Sequence, residues 1–173
     1  MTQSLILEAQ LDLDGLFADF EGGVKAITGK TPKELGDTRR MWAAVHSNKQ
    51  FFLELEILEG SMDLWAAIKD ILPDDRIRFL TGAPSSAAFR EQKKQWVAKV
   101  FGPQYEVNVV PRRDKPLYSG PLKVLIDDTE DNIDGWVAKG GHGIFHTGVD
   151  YDATIKELLD YDAALKKINT GPT

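Results

Sequence analysis

The pattern that most restricts this chain is an alternation of short apolar runs with longer helical stretches. Residues 5–13, Ile77-Arg78-Phe79-Leu80, residues 105–110, Val124-Leu125-Ile126 and residues 143–146 read as strands. Between them, residues 86–101 place Phe89, Trp96, Val97 and Val100 on one helical face, and residues 151–168 do the same with Ile155, Leu158, Leu159 and Leu165. Strands this apolar, separated by helices, are buried on both faces, which predicts an α/β fold with a Rossmann-like parallel sheet. After the first strand the rhythm changes. Phe17, Phe20, Val24 and Ile27 mark an inward stripe; Gly29 ends that helix, and Thr31-Pro32 restarts the chain as N-cap and first helical residue. Ser61 is placed to cap a further helix carrying Leu64, Trp65, Ile68 and Leu72, stopped by Pro73-Asp74-Asp75. The expectation is one structural unit: an α/β core from residues 1–16 and 72–173, with a small helical cap at 17–71 inserted after the first strand. A frayed end is expected at residues 171–173.

Composition narrows the chemistry. With 173 residues, the chain is long enough for one domain that buries roughly two-thirds of its unfolded surface. The absence of Cys rules out disulfides, a thiolate nucleophile and Cys-ligated metal centres. Acidic residues outnumber basic ones, 27 to 21, which argues against long nucleic acid as a partner. No run approaches the ~20 apolar residues of a membrane helix, and Met1-Thr2-Gln3-Ser4 lacks the basic start of a secretory leader. A cytoplasmic protein with no membrane partner is expected. The three His residues, His46, His142 and His146, have no metal-ligand spacing, and Gly140-Gly141-His142-Gly143 precedes no helix, so it reads as a turn.

Polar residues collect where the strands end. Asp12 and Asp14 follow the first strand, Thr81 the second, Arg113-Asp114-Lys115 the third, and Asp127-Asp128 the fourth. In open α/β sheets, ligands bind outside the carboxyl ends of the strands. Residues two apart on an extended segment point the same way, so Asp12 and Asp14 are able to face one site. A lone Asp-x-Asp-Gly reads more plainly as a turn with side-chain bonds to its own backbone. Four carboxylates at one rim repel one another, however, and call for a hard divalent cation such as Mg²⁺ together with an ammonium.

This order of residues resembles the four motifs of the haloacid dehalogenase-like phosphatases. A narrower likeness, over roughly residues 5–136, is to the cytosolic and mitochondrial 5'(3')-deoxyribonucleotidases. It is carried by Asp12-Leu13-Asp14-Gly15-Leu16-Phe17-Ala18-Asp19-Phe20-Glu21, Phe51-Phe52-Leu53-Glu54-Leu55-Glu56, Gln95-Trp96-Val97, Phe101-Gly102-Pro103, Arg113-Asp114-Lys115 and Leu125-Ile126-Asp127-Asp128. The resemblance implies a phosphomonoesterase acting on (deoxy)nucleoside 5'(3')-monophosphates through an aspartyl-phosphate. It assigns Asp12 as nucleophile and Asp14 as acid, then base. Thr81 and Lys115 become phosphoryl ligands, with the backbone of the turn at Gly82 beside them. Mg²⁺ would be held by Asp12, Asp127, Asp128 and the Asp14 carbonyl. Lys93 matches a phosphate-contacting lysine, with a solvated helix face as the plainer reading.

The resemblance gives the cap the choice of substrate, a small-molecule nucleotide. Phe20 and Trp42 match base-pocket residues, and Phe17 and Phe52 lie close by in sequence. A base stacked on an aromatic ring gains roughly 1–3 kcal/mol; the alternative is that these rings form the cap's own core. Many relatives carry Ser-Pro after the motif Thr and Arg after the Asp pair, whereas this chain has Gly82-Ala83-Pro84 and Thr129. Those departures bear on base and sugar preference and leave the phosphate chemistry in place. Homodimers occur in the family, and no apolar stripe in this sequence requires one. Two other readings stay open: a phosphatase for another small phosphomonoester such as a sugar phosphate, and a non-catalytic metal or nucleotide binder.

Overall fold

Among the residues described by a computed structural model, 3–171, five strands form one parallel sheet. They are β1 (Glu8–Leu11), β2 (Ile77–Gly82), β3 (Glu106–Val110), β4 (Lys123–Asp127) and β5 (His142–Phe145), in the order β3-β2-β1-β4-β5. The expected fraying of Pro172 and Thr173 lies outside the described residues. The helices are α1 (Phe20–Thr28), α2 (Pro32–Leu35), α3 (Thr38–Ser47), α4 (Ser61–Ile71), α5 (Ala87–Val100), α6 (Glu130–Ala138) and α7 (Tyr151–Thr170). The fold class is the α/β parallel sheet that the alternating pattern predicts. No helix among the described residues is long and apolar enough to cross a membrane.

Strand order positions the site. The chain lays β2 and β3 on one side of β1, then returns to place β4 and β5 on the other side. Leu11 pairs with Ile126, and the Asp12 N–H continues the ladder to the Ile126 carbonyl at 3.0 Å. The ends of β1 and β4 therefore emerge side by side at the switch point of the sheet, where such folds bind ligands. One apolar layer holds Leu11, Phe79, Val124 and Ile126 beneath helical residues such as Ile68, Trp96 and Leu158. A smaller layer on the opposite face gathers Leu80, Leu125, Ile133 and Trp136.

Local chemistry explains most boundaries. Asp19 caps α1 by accepting the Gly22 N–H, and Gly29 closes the helix at φ 79°. Thr31 and Glu34 form a reciprocal capping box with Pro32 in the first turn of α2. Ser86 caps α5 through the Phe89 N–H. Ser61 departs from its expected role. Gly60, at φ 84°, is the N-cap of α4, and the Ser61 hydroxyl donates to the Leu58 carbonyl instead. The stripe running from Phe17 into α1 is also broken. Phe17 and Ala18 both direct their N–H groups to the Leu13 carbonyl, so Phe17 belongs to a tight turn and the helix begins at Phe20.

Helices α1, α2 and α3 pack on one another, while α4 packs on α7. The helical layer beside the strand ends is thus α1–α3, although α4 falls within the stretch 17–71. The Tyr151 hydroxyl, at the start of α7, donates to the Leu16 carbonyl at 2.7 Å across a sequence separation of 135 residues. Tyr151→Phe leaves that buried carbonyl without its donor and should lower unfolding free energy by about 1–2 kcal/mol, measured by urea denaturation. A loss near zero would mean that the bond contributes nothing net.

Candidate active site

Three acids, one lysine and one asparagine meet where β1 and β4 end. Lys115, 2% exposed, sits in a 3-10 segment (Arg112–Tyr118) that follows β3. Its ammonium donates to Asp12 Oδ1 at 2.9 Å and to Asp127 Oδ2 at 2.7 Å. Burial alone lowers a lysine pKa; the two carboxylates outweigh that and hold Lys115 above its usual value. Asp127 is fully buried, and desolvation followed by repulsion from Asp12 pushes its carboxyl up to about 6. Asp128 keeps one edge open to solvent. Desolvation on its inner side, with Asp12 and Asp127 beside it, pushes it up to about 8.

A second cluster lies next to the first. Lys93, on α5 and 3% exposed, donates to Asp14 Oδ2 at 2.7 Å, Thr81 Oγ1 at 2.9 Å and the Gly82 carbonyl at 2.9 Å. Its ammonium also lies 5.0 Å from the centre of the Phe52 ring, a cation–π contact. Asp14 Oδ1 is buried and has no hydrogen-bond partner. Gly15 follows at φ 81°, so close to its neighbour that an added Cβ would lie 2.0 Å from Asp128 Oδ2. The turn thus needs glycine twice, for its left-handed backbone and for room.

Both clusters open onto a cavity of about 930 Å³. Phe20, Met41, Trp42 and Phe52 are among the residues that line it. Phe20 lies 6.0 Å from Trp42 and stacks on Phe52 at 6.1 Å between ring centres. Asp12, Asp14, Lys115, Asp128, Lys93 and Gly82 reach the same space. Three candidates do not: Asp127, fully buried and bonded to Lys115 and Asn132, together with Phe17 and Thr81. Phe17 is fully buried against Trp65, Phe79 and Phe101 and is a core residue, because the turn after Asp14 aims it under the sheet. Thr81 is fully buried too and does not line the cavity; its hydroxyl accepts from Lys93.

Asp12, Asp127 and Asp128 present oxygens within 4.8 Å of one another. An all-oxygen set with more carboxylate than ammonium charge suits a hard divalent cation. His146 is no ligand in this arrangement. Its Nδ1 bonds Thr154 Oγ1 at 2.8 Å and its Nε2 the Gly148 carbonyl at 2.9 Å, and burial lowers its pKa. The sequence reading missed Asn132, whose amide donates to Asp127 Oδ2 at 3.0 Å. Its signal was weak: an asparagine in the first turn of the helix after Asp127-Asp128.

Asp12-x-Asp14 after β1, the buried Lys93 and Lys115, and Asp127-Asp128 at the end of β4 gather at one switch point. No family model matches the chain. Its curated homologues are 5'(3')-deoxyribonucleotidases. It is 30% identical over 149 residues to the mitochondrial 5'(3')-deoxyribonucleotidase of Homo sapiens, covering 72% of this chain and 63% of that protein. To the cytosolic type of Homo sapiens it is 29% identical over 148 residues, covering 72% of this chain and 71% of that one. The chain therefore spans less than two-thirds of the mitochondrial human relative it matches. A solved structure, a hydrolase from Streptococcus pneumoniae TIGR4, is similar with a TM-score of 0.49 at 14% identity, over 90% of this chain and 98% of that one.

Two outcomes follow from this geometry. Gly15→Ala should lower the melting temperature modestly, since φ 81° is strained for alanine by about 1 kcal/mol, and should weaken divalent-cation binding by displacing Asp128. Unchanged cation binding in a calorimetric titration would show that Asp128 is not displaced. The second outcome concerns pH. Asp127 and Asp128 are pushed up to about 6 and about 8 in the folded chain against 3.8 for a free aspartate, so the folded chain retains protons that the unfolded chain has lost. In EDTA, stability should fall as pH rises from about 4 to about 8, and Asp128→Asn should flatten the upper half of that slope. Equal slopes for the two proteins in a melting series would remove Asp128 as the cause.

Proposed function

We propose that the protein is a Mg²⁺-dependent phosphomonoesterase that hydrolyses (deoxy)nucleoside 5'(3')-monophosphates through an aspartyl-phosphate. The observation that carries this reading is the cavity itself. Asp12, held by the buried Lys115 ammonium, and the aromatic rings of Phe20, Trp42 and Phe52 line the same space. Such a cavity suits a ligand with a phosphate at one end and a flat base at the other. The names of the relatives point the same way.

In this reading Asp12 attacks phosphorus while the bond to the leaving oxygen breaks. Asp14 gives that oxygen its proton; Lys93 holds Asp14 Oδ2, leaving the unpartnered Oδ1 to carry it. In the second step Asp14 takes a proton from the water that attacks the aspartyl-phosphate, and inorganic phosphate leaves. Lys115 offsets charge on the phosphoryl oxygens from its place beside Asp12. Mg²⁺, held by Asp12, Asp127, Asp128 and the Asp14 carbonyl, would neutralise the remaining carboxylates and polarise a phosphoryl oxygen. Thr81 acts one step back, fixing Lys93. The partner is a small nucleotide, and a cytoplasmic setting accords with the acidic, cysteine-free chain and with the cytosolic type among its relatives.

The test is phosphate release from a panel of nucleoside mono-, di- and triphosphates and sugar phosphates with Mg²⁺. Nucleoside monophosphates should be the best substrates, and Asp12→Asn should reduce release to background. Release from sugar phosphates alone would overturn the reading of the aromatic wall. Release from nothing would overturn the enzyme reading.

A further inference from the structure

Asp127 carries more hydrogen bonds than any other carboxylate of the site. Oδ1 accepts the Thr129 backbone N–H at 2.9 Å; Oδ2 accepts both Lys115 at 2.7 Å and the Asn132 amide at 3.0 Å. A carboxylate oxygen has two in-plane lone-pair directions, so two donors fill Oδ2 and the open position is on Oδ1. Lys115 does not impose that choice by itself. An ammonium on a flexible stem is a point charge with rotatable donors, and the last torsion of an aspartate is broad and two-fold.

Asn132 supplies what Lys115 lacks, a planar donor on a rigid support. It is 6% exposed, and its own backbone N–H is tied to the Thr129 carbonyl in the first turn of α6. One turn on, Gly135 lies so near the Lys115 segment that a Cβ there would be 3.0 Å from Pro116 Cγ. Asn132 and Lys115 thus reach Asp127 from two segments packed directly on each other.

We infer that Asn132 is a positioning residue that sets the rotation of the Asp127 carboxylate, dedicating Oδ2 to Lys115 and leaving Oδ1 for a divalent cation. It touches no reacting atom. Its effect on turnover rests on the phosphatase reading above, whereas its effect on cation binding rests only on the three clustered carboxylates.

Three variants separate positioning from packing. Asn132→Leu keeps the volume and removes the donor. Asn132→Ala removes both, and Asn132→Ser loses nearly the same volume but restores an O–H donor. Mn²⁺ is titrated into the chelator-treated full chain and followed by electron paramagnetic resonance, alongside kcat and KM for the best substrate. The Mn²⁺ Kd should rise about tenfold or more in the Leu and Ala variants and distinctly less in the Ser variant, with kcat falling in the same order and KM little changed. A packing role predicts another order, with Leu mildest and Ser equal to Ala, and that order would overturn the inference. So would wild-type Kd in the Leu variant, or a wild-type chain that binds no Mn²⁺. If the Leu variant does not fold, the Ser–Ala comparison decides alone. A wild type that binds Mn²⁺ yet releases no phosphate overturns the proposed function, and the order of Kd values still decides the role of Asn132.

Discussion

The Lys115 ammonium lies between the carboxylates of Asp12 and Asp127, joining the ends of β1 and β4 to the segment after β3. Each of these groups is nearly inaccessible to water, and a buried charge without a partner is penalised by several kcal/mol. Three segments far apart in the chain must therefore come together with their charges matched or not at all. The pairing of Leu11 with Ile126 brings the two carboxylates into range, and the 3-10 turn delivers the lysine. Asn132 and the Thr129 N–H then take two of the positions that Lys115 leaves on Asp127, and one on Oδ1 stays open. One ammonium against three carboxylates still leaves negative charge in excess, and burial first, then repulsion from Asp12, raises Asp127 and Asp128.

The second lysine couples this centre to the aromatic wall. Lys93 bonds Asp14 on one side and faces the Phe52 ring on the other, and Phe52 stacks on Phe20. The groups assigned to proton transfer and those assigned to base recognition are thus neighbours through a single side chain. Thr81 and the Gly82 carbonyl complete the shell of acceptors around that ammonium.

Much of the fold was legible because it rests on local patterns. Short apolar runs between helices announced a parallel sheet, and Thr31 before Pro32 could be read as a cap from its position. Asp12, Asp14, Lys115, Asp127 and Asp128 were legible as well, since each lies at the end of a strand or in the segment that follows it. Other residues were not. Phe17 and Phe20 differ by one helical turn on paper, but the turn around Leu13 sends the first into the core and starts the helix at the second. The contact of the buried Thr81 hydroxyl with the Lys93 ammonium, twelve residues on, was not announced by the sequence. Asn132 carries a short-range signal shared by countless surface asparagines, and only the approach of α6 to Pro116 gives it a partner.

The sequence by itself determined the class of fold, the absence of thiol chemistry, and the carboxylates that stand at the strand ends, because strand and helix periodicity and residue chemistry are local properties. Tertiary structure alone decided which aromatic ring faces the cavity, which lysine holds which carboxylate, and which oxygen of Asp127 remains open. Those outcomes depend on distances between segments a hundred residues apart, and such distances are set by β-ladder register and helix packing rather than by any neighbour in the chain.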